Sequence, residues 1–294
     1  MCYKNILCIG LIFVHLFLLG TGSCYALQTL VAKKVDQAPV IDGKSNDKVW
    51  NHTKAIVTHD NVAVIDITLK ALYTTDKVFF LITYPDKNES VTHRSWEWNK
   101  KNEEYMQGRD REDTLVLKWN LEKKPVDLSV YADNFYTADI WYWKSNRTNP
   151  IGYADDKFHC LSKQKLKKSS EVRSKKGNIM YLQRIGDPGK SSYRSTLPIK
   201  YEGDVINRYK LHQPSLSRAD IKAKGVWKAG KWIIEFSRNL QTNDKEHDIQ
   251  LVPMQTYLFG VSRYEIAGRD PDDSEQPMFG SGDVAEKLYF EFSH

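Results

Sequence analysis

The chain has few cysteines: four among 294 residues, three of which precede residue 27. Beyond that point only Cys160 remains, so no internal disulfide can support the fold there. The sequence also lacks C-x-x-C-H, which excludes covalent attachment of a c-type haem. A fold without disulfides must be held by its apolar core, and a chain of this length can bury a large one.

Catalytic and phosphate-binding motifs are missing as well. There is no Gly-rich phosphate loop, no H-E-x-x-H and no nucleophile elbow. Acidic pairs occur at Asp155-Asp156 and Asp272-Asp273, but adjacent carboxylates on a turn cap a helix or bind calcium weakly more often than they hydrolyse glycosides. No complete active site is recognisable, so an enzyme ranks last among the candidate functions.

The N-terminus resembles a secretory signal. Lys4 precedes an almost continuously apolar run over 6–19, and small residues lead to Ala26. We therefore expect a signal peptide over 1–26 and a single domain over 27–294, exported to the periplasm or secreted. The apolar run is shorter than the roughly 20 residues of a membrane span, so no stable span is expected after cleavage. An uncleaved anchor and a lipoprotein at Cys24 are the alternatives.

The rest of the chain alternates short apolar runs with turn residues, a pattern typical of a β-sandwich. Residues 65–72 alternate like a half-buried strand, and 77–84 are uniformly apolar like a central one. Further strands are predicted at 114–119, 126–131, 221–227, 231–237, 249–252, 257–264 and 287–292. The strands at 221–227 and 231–237 are predicted to form a hairpin around Lys228-Ala229-Gly230, with glycine where φ is positive. We expect a mainly β protein, an immunoglobulin-like or DOMON-like sandwich with a few short helices in long loops, the longest at 85–112 and 178–220.

One stretch concentrates aromatic and charged residues: ADIWYWKSNRTNPIGYADD, at 138–156. It starts as a strand with Ile140 and Tyr142 on one face and Trp141 and Trp143 on the other. Such a cluster fills a core or lines a flat aromatic pocket, because rings bring much apolar area and few rotamers. The pattern leaves both possibilities open.

The order of these residues resembles the haem-binding domain shared by the ethylbenzene dehydrogenase gamma subunit and cytochrome c-552-type proteins. That family carries W-x-W-K, a nearby Arg and G-Y-x-D-D, and the same elements occur in this sequence. The resemblance continues in KAKGVWKAGKWIIEFSRNL at 222–240, in Asp248-Ile249-Gln250 and in YLFGV at 257–261. It covers most of the chain after residue 27.

The resemblance implies a non-covalent haem b held by a methionine and a lysine. Lys144 lies within the matching motif, and the candidate methionines are Met106, Met254 and Met278. Trp141, Trp143 and Arg147 are the other implied cofactor-binding residues, with Arg147 as a partner for a haem propionate. Lys144 has an alternative role, an ion pair with Asp155 or Asp156, and Arg147 has one as a surface ion pair. The sequence departs from the family over 133–137, which contains neither a methionine nor a C-x-x-C-H insert.

Two functions remain ahead of an enzyme. The first is an exported electron-transfer protein or subunit that serves a redox partner protein, contacts no nucleic acid and performs no substrate chemistry. The second is a haem-free, carbohydrate-binding-like module whose aromatic cleft contains Trp96, Trp98, Trp141 and Trp143. The net charge is +6, and seven lysines and arginines lie within 163–176. This basic segment suits either a solvated loop or a face that steers an acidic partner.

Overall fold

The computed structural model describes residues 28–60, 65–263 and 286–293. The predicted signal peptide, Met278 and the pair Asp272-Asp273 lie outside the described residues. Within those residues, no helix is long and apolar enough to cross a membrane.

The described residues form strands throughout, with three short 3-10 turns at Lys48–His52, Asn149–Ile151 and Leu216–Ala219. The strands are β1 Gln28–Lys34, β2 Ile56–Asp60, β3 Ile65–Tyr73, β4 Lys77–Pro85, β5 Trp96–Asn99, β6 Glu104–Gln107, β7 Thr114–Asn120, β8 Tyr136–Lys144, β9 Asp155–Ser162, β10 Ser169–Arg173, β11 Ile179–Gly186, β12 Tyr193–Ser195, β13 Val205–Ile206, β14 Tyr209–Leu211, β15 Lys222–Trp227, β16 Lys231–Asn239, β17 Tyr257–Arg263 and β18 Glu286–Phe292.

These strands build two packed layers. The first layer has the order β10-β11-β9-β8-β7-β17-β18-β1, and the second has the order β1-β3-β4-β16-β15, with β2 beside β3. Strand β1 joins the layers, because 28–32 run parallel to β18 and 33–34 run parallel to β3. The predicted mainly β sandwich is therefore confirmed.

The core lies between the layers and is rich in aromatic rings. Phe80 of the second layer meets Trp119 and Trp141 of the first at 5.7 Å between ring centroids. Trp143 meets Trp232 across the same gap at 4.8 Å. Edge-to-face ring pairs of this kind add about 0.5–1.5 kcal/mol beyond the apolar area that they bury. Trp141 and Trp143 thus belong to the core, one of the two roles that their pattern left open.

Several predicted loops contain strands. Residues 85–112 hold β5 and β6, which pair with β13 in a separate small sheet. Residues 178–220 hold β11 to β14, and β12 pairs with β14. In contrast, 126–131 and 249–252 form no strand: Val126, Leu128 and Val130 pack against the outer face of the first layer, and Ile249 and Leu251 pack against the core. Apolar residues at alternate positions occur both in strands and in packed segments that form no strand. The sequence pattern alone therefore does not distinguish these two structures.

The hairpin of β15 and β16 forms as predicted. Its turn places Ala229 and Gly230 at φ values of 52° and 77°, and glycine tolerates this region without steric cost.

A buried glutamate, Glu235, holds Trp50 and the segment Val40-Ile41-Asp42-Gly43 in place. Glu235 of β16 accepts hydrogen bonds from the Trp50 indole at 2.9 Å and from the backbone N–H groups of Asp42 and Gly43 at 3.0 and 2.9 Å. Trp50 then packs against Leu72, Phe79 and Leu81 on the outer face of the second layer. One carboxylate therefore fixes the whole 40–50 segment on that face.

We expect Glu235→Ala to cost at least about 3 kcal/mol of unfolding free energy, because three donors lose their acceptor at about 1–3 kcal/mol each when buried. Glu235→Gln retains one acceptor oxygen and should cost less. Urea unfolding measures both, with Glu171→Ala at an exposed strand position as the control. A Glu235→Ala variant that unfolds at the wild-type urea concentration would contradict this role.

Candidate functional site

Strand β9 begins with Asp155 and Asp156, which lie on opposite faces of the first layer. Asp155 pairs in register with Tyr142, and Asp156 pairs with Trp141. Because side chains alternate along a strand, Asp155 points to the outer face with Lys144, and Asp156 points between the layers with Asp139. The two carboxylates therefore belong to two different environments.

On the outer face, Lys144 is completely enclosed. Its side chain is 1% exposed, and its Nζ lies 2.5 Å from Asp155 and donates to the Tyr193 hydroxyl at 3.1 Å. The same ammonium lies 4.3 Å from the centre of the Tyr142 ring. Of its two proposed roles, the ion pair with Asp155 is the one that the described structure contains.

Asp155 has more than one cationic partner. Arg218 forms a close ion pair with its other oxygen, and Lys157 approaches to 3.7 Å. Burial alone would raise the pKa of Asp155, but Lys144, Lys157 and Arg218 together hold it well below its usual range. Burial lowers the pKa of Lys144 to about 8, with a further contribution from the like charge of Arg147.

Arg147 extends this network to Glu112. Its guanidinium pairs with Glu112, whose other oxygen accepts the backbone N–H groups of Asn146 and Arg147 at 2.8 and 3.0 Å. The guanidinium also lies 5.0 and 5.2 Å from the ring centres of Tyr193 and Tyr209. Arg147 is thus held by a buried carboxylate and two rings, and not by an exposed surface pair.

We call the group Lys144, Arg147, Lys157, Arg218, Asp155 and Glu112 the cationic site. It contains four basic side chains and two carboxylates, and none of the six is more than about a fifth exposed. Nearby, burial and the surrounding positive charges lower the pKa of His93 to about 2, so His93 adds no charge. The excess of positive charge suits an anionic group as ligand.

On the inner face, Asp156 joins Asp139, Asp187 and Asp248 in a group that we call the acidic cluster. All four are buried. Arg238 of the second layer reaches Asp139 at 3.1 Å and Asp248 at 3.5 Å. Burial is the first cause that raises the pKa of each carboxyl in the group.

Two of the other predicted ligands, Met106 and Met254, lie at exposed positions and not among the buried residues of the cationic site. Met106 of β6 is 52% exposed, and its sulfur accepts a hydrogen bond from Asn99. Met254 is 82% exposed, in the loop before β17. Met278, the third candidate, is outside the described residues. Trp96 and Trp98 are half-buried in the small sheet, away from the core position of Trp141 and Trp143.

The cationic site therefore contains one of the two iron ligands that the family resemblance implies. Lys144 is a buried amine with a lowered pKa, which suits ligation, since only the neutral amine binds iron. Among the described residues, the two exposed methionines leave its partner ligand unassigned. Trp141 and Trp143 support the site from the core and do not line it.

Several residues of both groups were not predicted from the sequence. Glu112, Tyr193 and Arg218 come from loops and short strands far apart in the chain, and no local pattern signals that they meet Lys144. The sequence did carry a signal for Asp139, because Asp139 lies on the same face of an apolar strand as Trp141 and Trp143. An acidic residue at an inward position requires a partner.

We expect Asp155→Asn to lower the unfolding free energy by about 3–5 kcal/mol near neutral pH, because it leaves buried cations without their counter-charge. Since folding lowers the pKa of Asp155, its stabilisation is complete above the unfolded pKa of about 4 and is lost progressively as pH falls from there towards the much lower folded pKa. The difference between wild type and variant, from urea unfolding, should therefore shrink below about pH 4. A difference that stays constant into acid would contradict the assignment.

Comparisons with known proteins place the chain in a family. The profile described as ethylbenzene dehydrogenase matches residues 38–272, which is most of the chain. A search of the curated proteins finds no match.

Among solved structures, the chain is similar to a carbohydrate binding module family 9 (CBM9) from Caldicellulosiruptor kristjanssonii in complex with glucose, at 11% identity and a TM-score of 0.35, over 90% of this chain and 94% of that one. The same organism's CBM9 in complex with cellotriose gives 10% identity and a TM-score of 0.36, over 91% and 95%. The structural similarity is too low to support an argument, whereas the profile match covers both sites, and the chain therefore belongs to the ethylbenzene dehydrogenase family.

Proposed function

We propose that this protein is an exported haem b-binding electron-transfer protein or subunit, with Lys144 as one iron ligand. The observation that carries the proposal is the buried Lys144 amine in the family's W-x-W-K motif, surrounded by an excess of basic side chains. Haem would supply one-electron transfer. The chain itself would bind, orient and enclose the group, and it would perform no chemistry on a substrate.

The network around Asp155 permits Lys144 to change partners. When Lys144 loses its proton, Asp155 keeps Arg218 and Lys157 as counter-charges, so no buried carboxylate is left unpaired. The remaining cations of the site, with Arg147 foremost, offer guanidinium and ammonium groups to the propionates of haem.

Strands β12 and β14 cover this face. Tyr193 of β12 bonds to Lys144, and Tyr209 of β14 stacks with Arg147. Binding therefore requires that this two-stranded cover shift and that Tyr193 release the amine. Met278 is the best candidate for the second ligand, because Met106 and Met254 lie at exposed positions.

The basic segment 163–176 supports a redox partner. All seven of its lysines and arginines are exposed, on β10 and its flanking turns at the edge of the first layer. An edge of one charge sign raises the rate of encounter with an acidic surface. We propose that an acidic partner protein docks there outside the cytoplasm.

The carbohydrate-binding alternative loses half of its cleft. Trp141 and Trp143 are fully buried, so neither ring can stack on a sugar. Trp96 and Trp98 of the small sheet remain, and Trp98 packs against Tyr105 and the exposed Tyr201 at 4.9 and 5.2 Å. Trp98→Ala should abolish retention on an immobilised glycan if this function holds.

A hemin titration of the full chain tests the proposal. The wild type should develop a Soret band with sharp reduced α and β bands, and Lys144→Ala should shift or lose that spectrum because the residue that would bind the iron is removed. Lys118→Ala is the matched control, since Lys118 is an equally buried lysine of the same face, bonded to Leu128 and Tyr136.

Two results would contradict the proposal that this protein binds haem through Lys144. A wild-type chain that leaves the spectrum of free hemin unchanged would contradict haem binding, and a spectrum that Lys144→Ala leaves unchanged would contradict Lys144 as an iron ligand. A spectrum that Lys118→Ala alters as strongly would show a general effect of losing a buried lysine.

A further inference from the structure

The acidic cluster brings carboxylate oxygens together inside the protein. One oxygen from each of Asp139, Asp156 and Asp248 lies within 4.8 Å of the others. These residues come from β8, from β9 and from the loop after β16, so the cluster closes one end of the gap between the layers. Asp187, at the end of β11, contributes a fourth buried carboxyl beside them.

The surrounding protein neutralises only part of this charge. Arg238 pairs with Asp139 and Asp248, and its second guanidinium nitrogen also donates to the Ile249 carbonyl at 2.8 Å. Asp139 uses one oxygen for all its donors, which are Arg238, the Trp141 indole and the Ile249 N–H. Its second oxygen receives no donor among the described residues. One guanidinium thus faces Asp139, Asp156 and Asp248, and the fourth carboxyl, Asp187, has His247 as its basic neighbour.

Asp156 is one of two residues, with Asp187, whose side-chain oxygens receive no donor from this network among the described residues. Its side chain is fully buried, and neither of its oxygens receives a hydrogen bond from any described residue. Its oxygen nonetheless points at those of Asp139 and Asp248. A buried carboxylate without a donor is costly to the fold, so this arrangement calls for a ligand that carries positive charge.

We infer that Asp139, Asp156 and Asp248 bind a divalent cation beside Asp187, and that this cation is calcium. The donors are all carboxylate oxygens, which hard cations prefer. Calcium–oxygen distances of about 2.3–2.6 Å place opposite ligand oxygens roughly 4.6–5.2 Å apart. The carboxylate oxygens of the cluster lie within 4.8 Å of one another, so they can bind one calcium ion between them. Calcium also accepts irregular geometry, whereas magnesium retains several waters and an octahedron that an enclosed site does not provide.

An acidic cleft leads to the cluster. A cavity of about 580 Å³ is lined by Asp220, Asp244 and Glu246, among others, and by Ser217. The Ser217 hydroxyl donates to Asp248 at 3.5 Å, so the wall of the cleft touches the cluster. Lys245 and His247 line the same cleft, and the three carboxylates still leave the entrance with a net negative charge, which attracts a cation from solution.

The competing occupant is a proton. Asp156 and Asp187 approach closely enough for one to donate to the other if either is protonated, and two carboxyls that share a proton need no metal. This alternative predicts no response to calcium, so calcium binding separates the two directly.

The test is thermal unfolding of the chelator-treated full chain with and without calcium chloride. A wild-type midpoint that rises by about 5–10 °C at a hundredfold excess over the dissociation constant supports the site. Asp156→Asn should abolish the rise. It should also fold well without calcium, because it removes one like charge from the cluster.

Asp66→Asn is the control, since Asp66 is a strand aspartate whose side chain is 70% exposed. It should respond to calcium as the wild type does. A wild type without any shift, or the same shift in Asp156→Asn, would overturn the inference. Neither outcome depends on haem, so failure here is distinguishable from failure of the proposed function.

Terbium gives a second, local readout. Tb³⁺ occupies calcium sites, and the Trp141 indole donates to Asp139 at 3.1 Å, close enough to sensitise its emission. Emission should appear on titration, fall when calcium competes, and fall severalfold in Trp141→Phe. Emission that Trp141→Phe leaves unchanged would place the ion elsewhere and overturn the assignment.

Discussion

The register between β8 and β9 is the constraint on which both sites depend. Asp155 opposite Tyr142 and Asp156 opposite Trp141 direct two neighbouring carboxylates to opposite faces of one sheet. A slip of one residue would exchange these faces, placing Asp155 among the inner carboxylates and leaving Lys144 without its counter-charge. The aromatic core fixes the register, because Trp141 and Trp143 both pack against the second layer.

Around this strand the protein separates charge by sign. The outer face gathers Lys144, Arg147, Lys157 and Arg218 around two carboxylates, and the inner face gathers four carboxyls around Arg238. Each imbalance is a cost to folding unless a ligand of the opposite sign relieves it. The structure therefore combines a stable sandwich with two places where an anionic group and a cation would each add stability.

Much of the fold was predictable because alternation and turn residues are local signals. The strands at 65–73, 77–85 and 231–239 follow directly from their patterns, as does the hairpin turn at Gly230. The sites were predictable only where they fall within one segment: Lys144 and Asp155 lie on adjacent strands joined by the connection at 145–154. Glu112, Tyr193 and Asp187 join from distant segments, so the contacts that define each site depend on tertiary packing. The burial of Trp141 and Trp143 also depends on a second layer that their own strand does not specify.

A crystal structure gives the most direct test of the claim that β9 separates two ligand sites. The protein would be purified without chelator and supplied with hemin, and anomalous data would be collected on both sides of the iron absorption edge. We predict an iron peak beside Lys144 that appears only above the edge, and a separate calcium peak beside Asp156 in both data sets. Density for neither ion, with Lys144 still bonded to Asp155 and Asp156 in contact with Asp187, would contradict the claim that β9 divides two ligand sites.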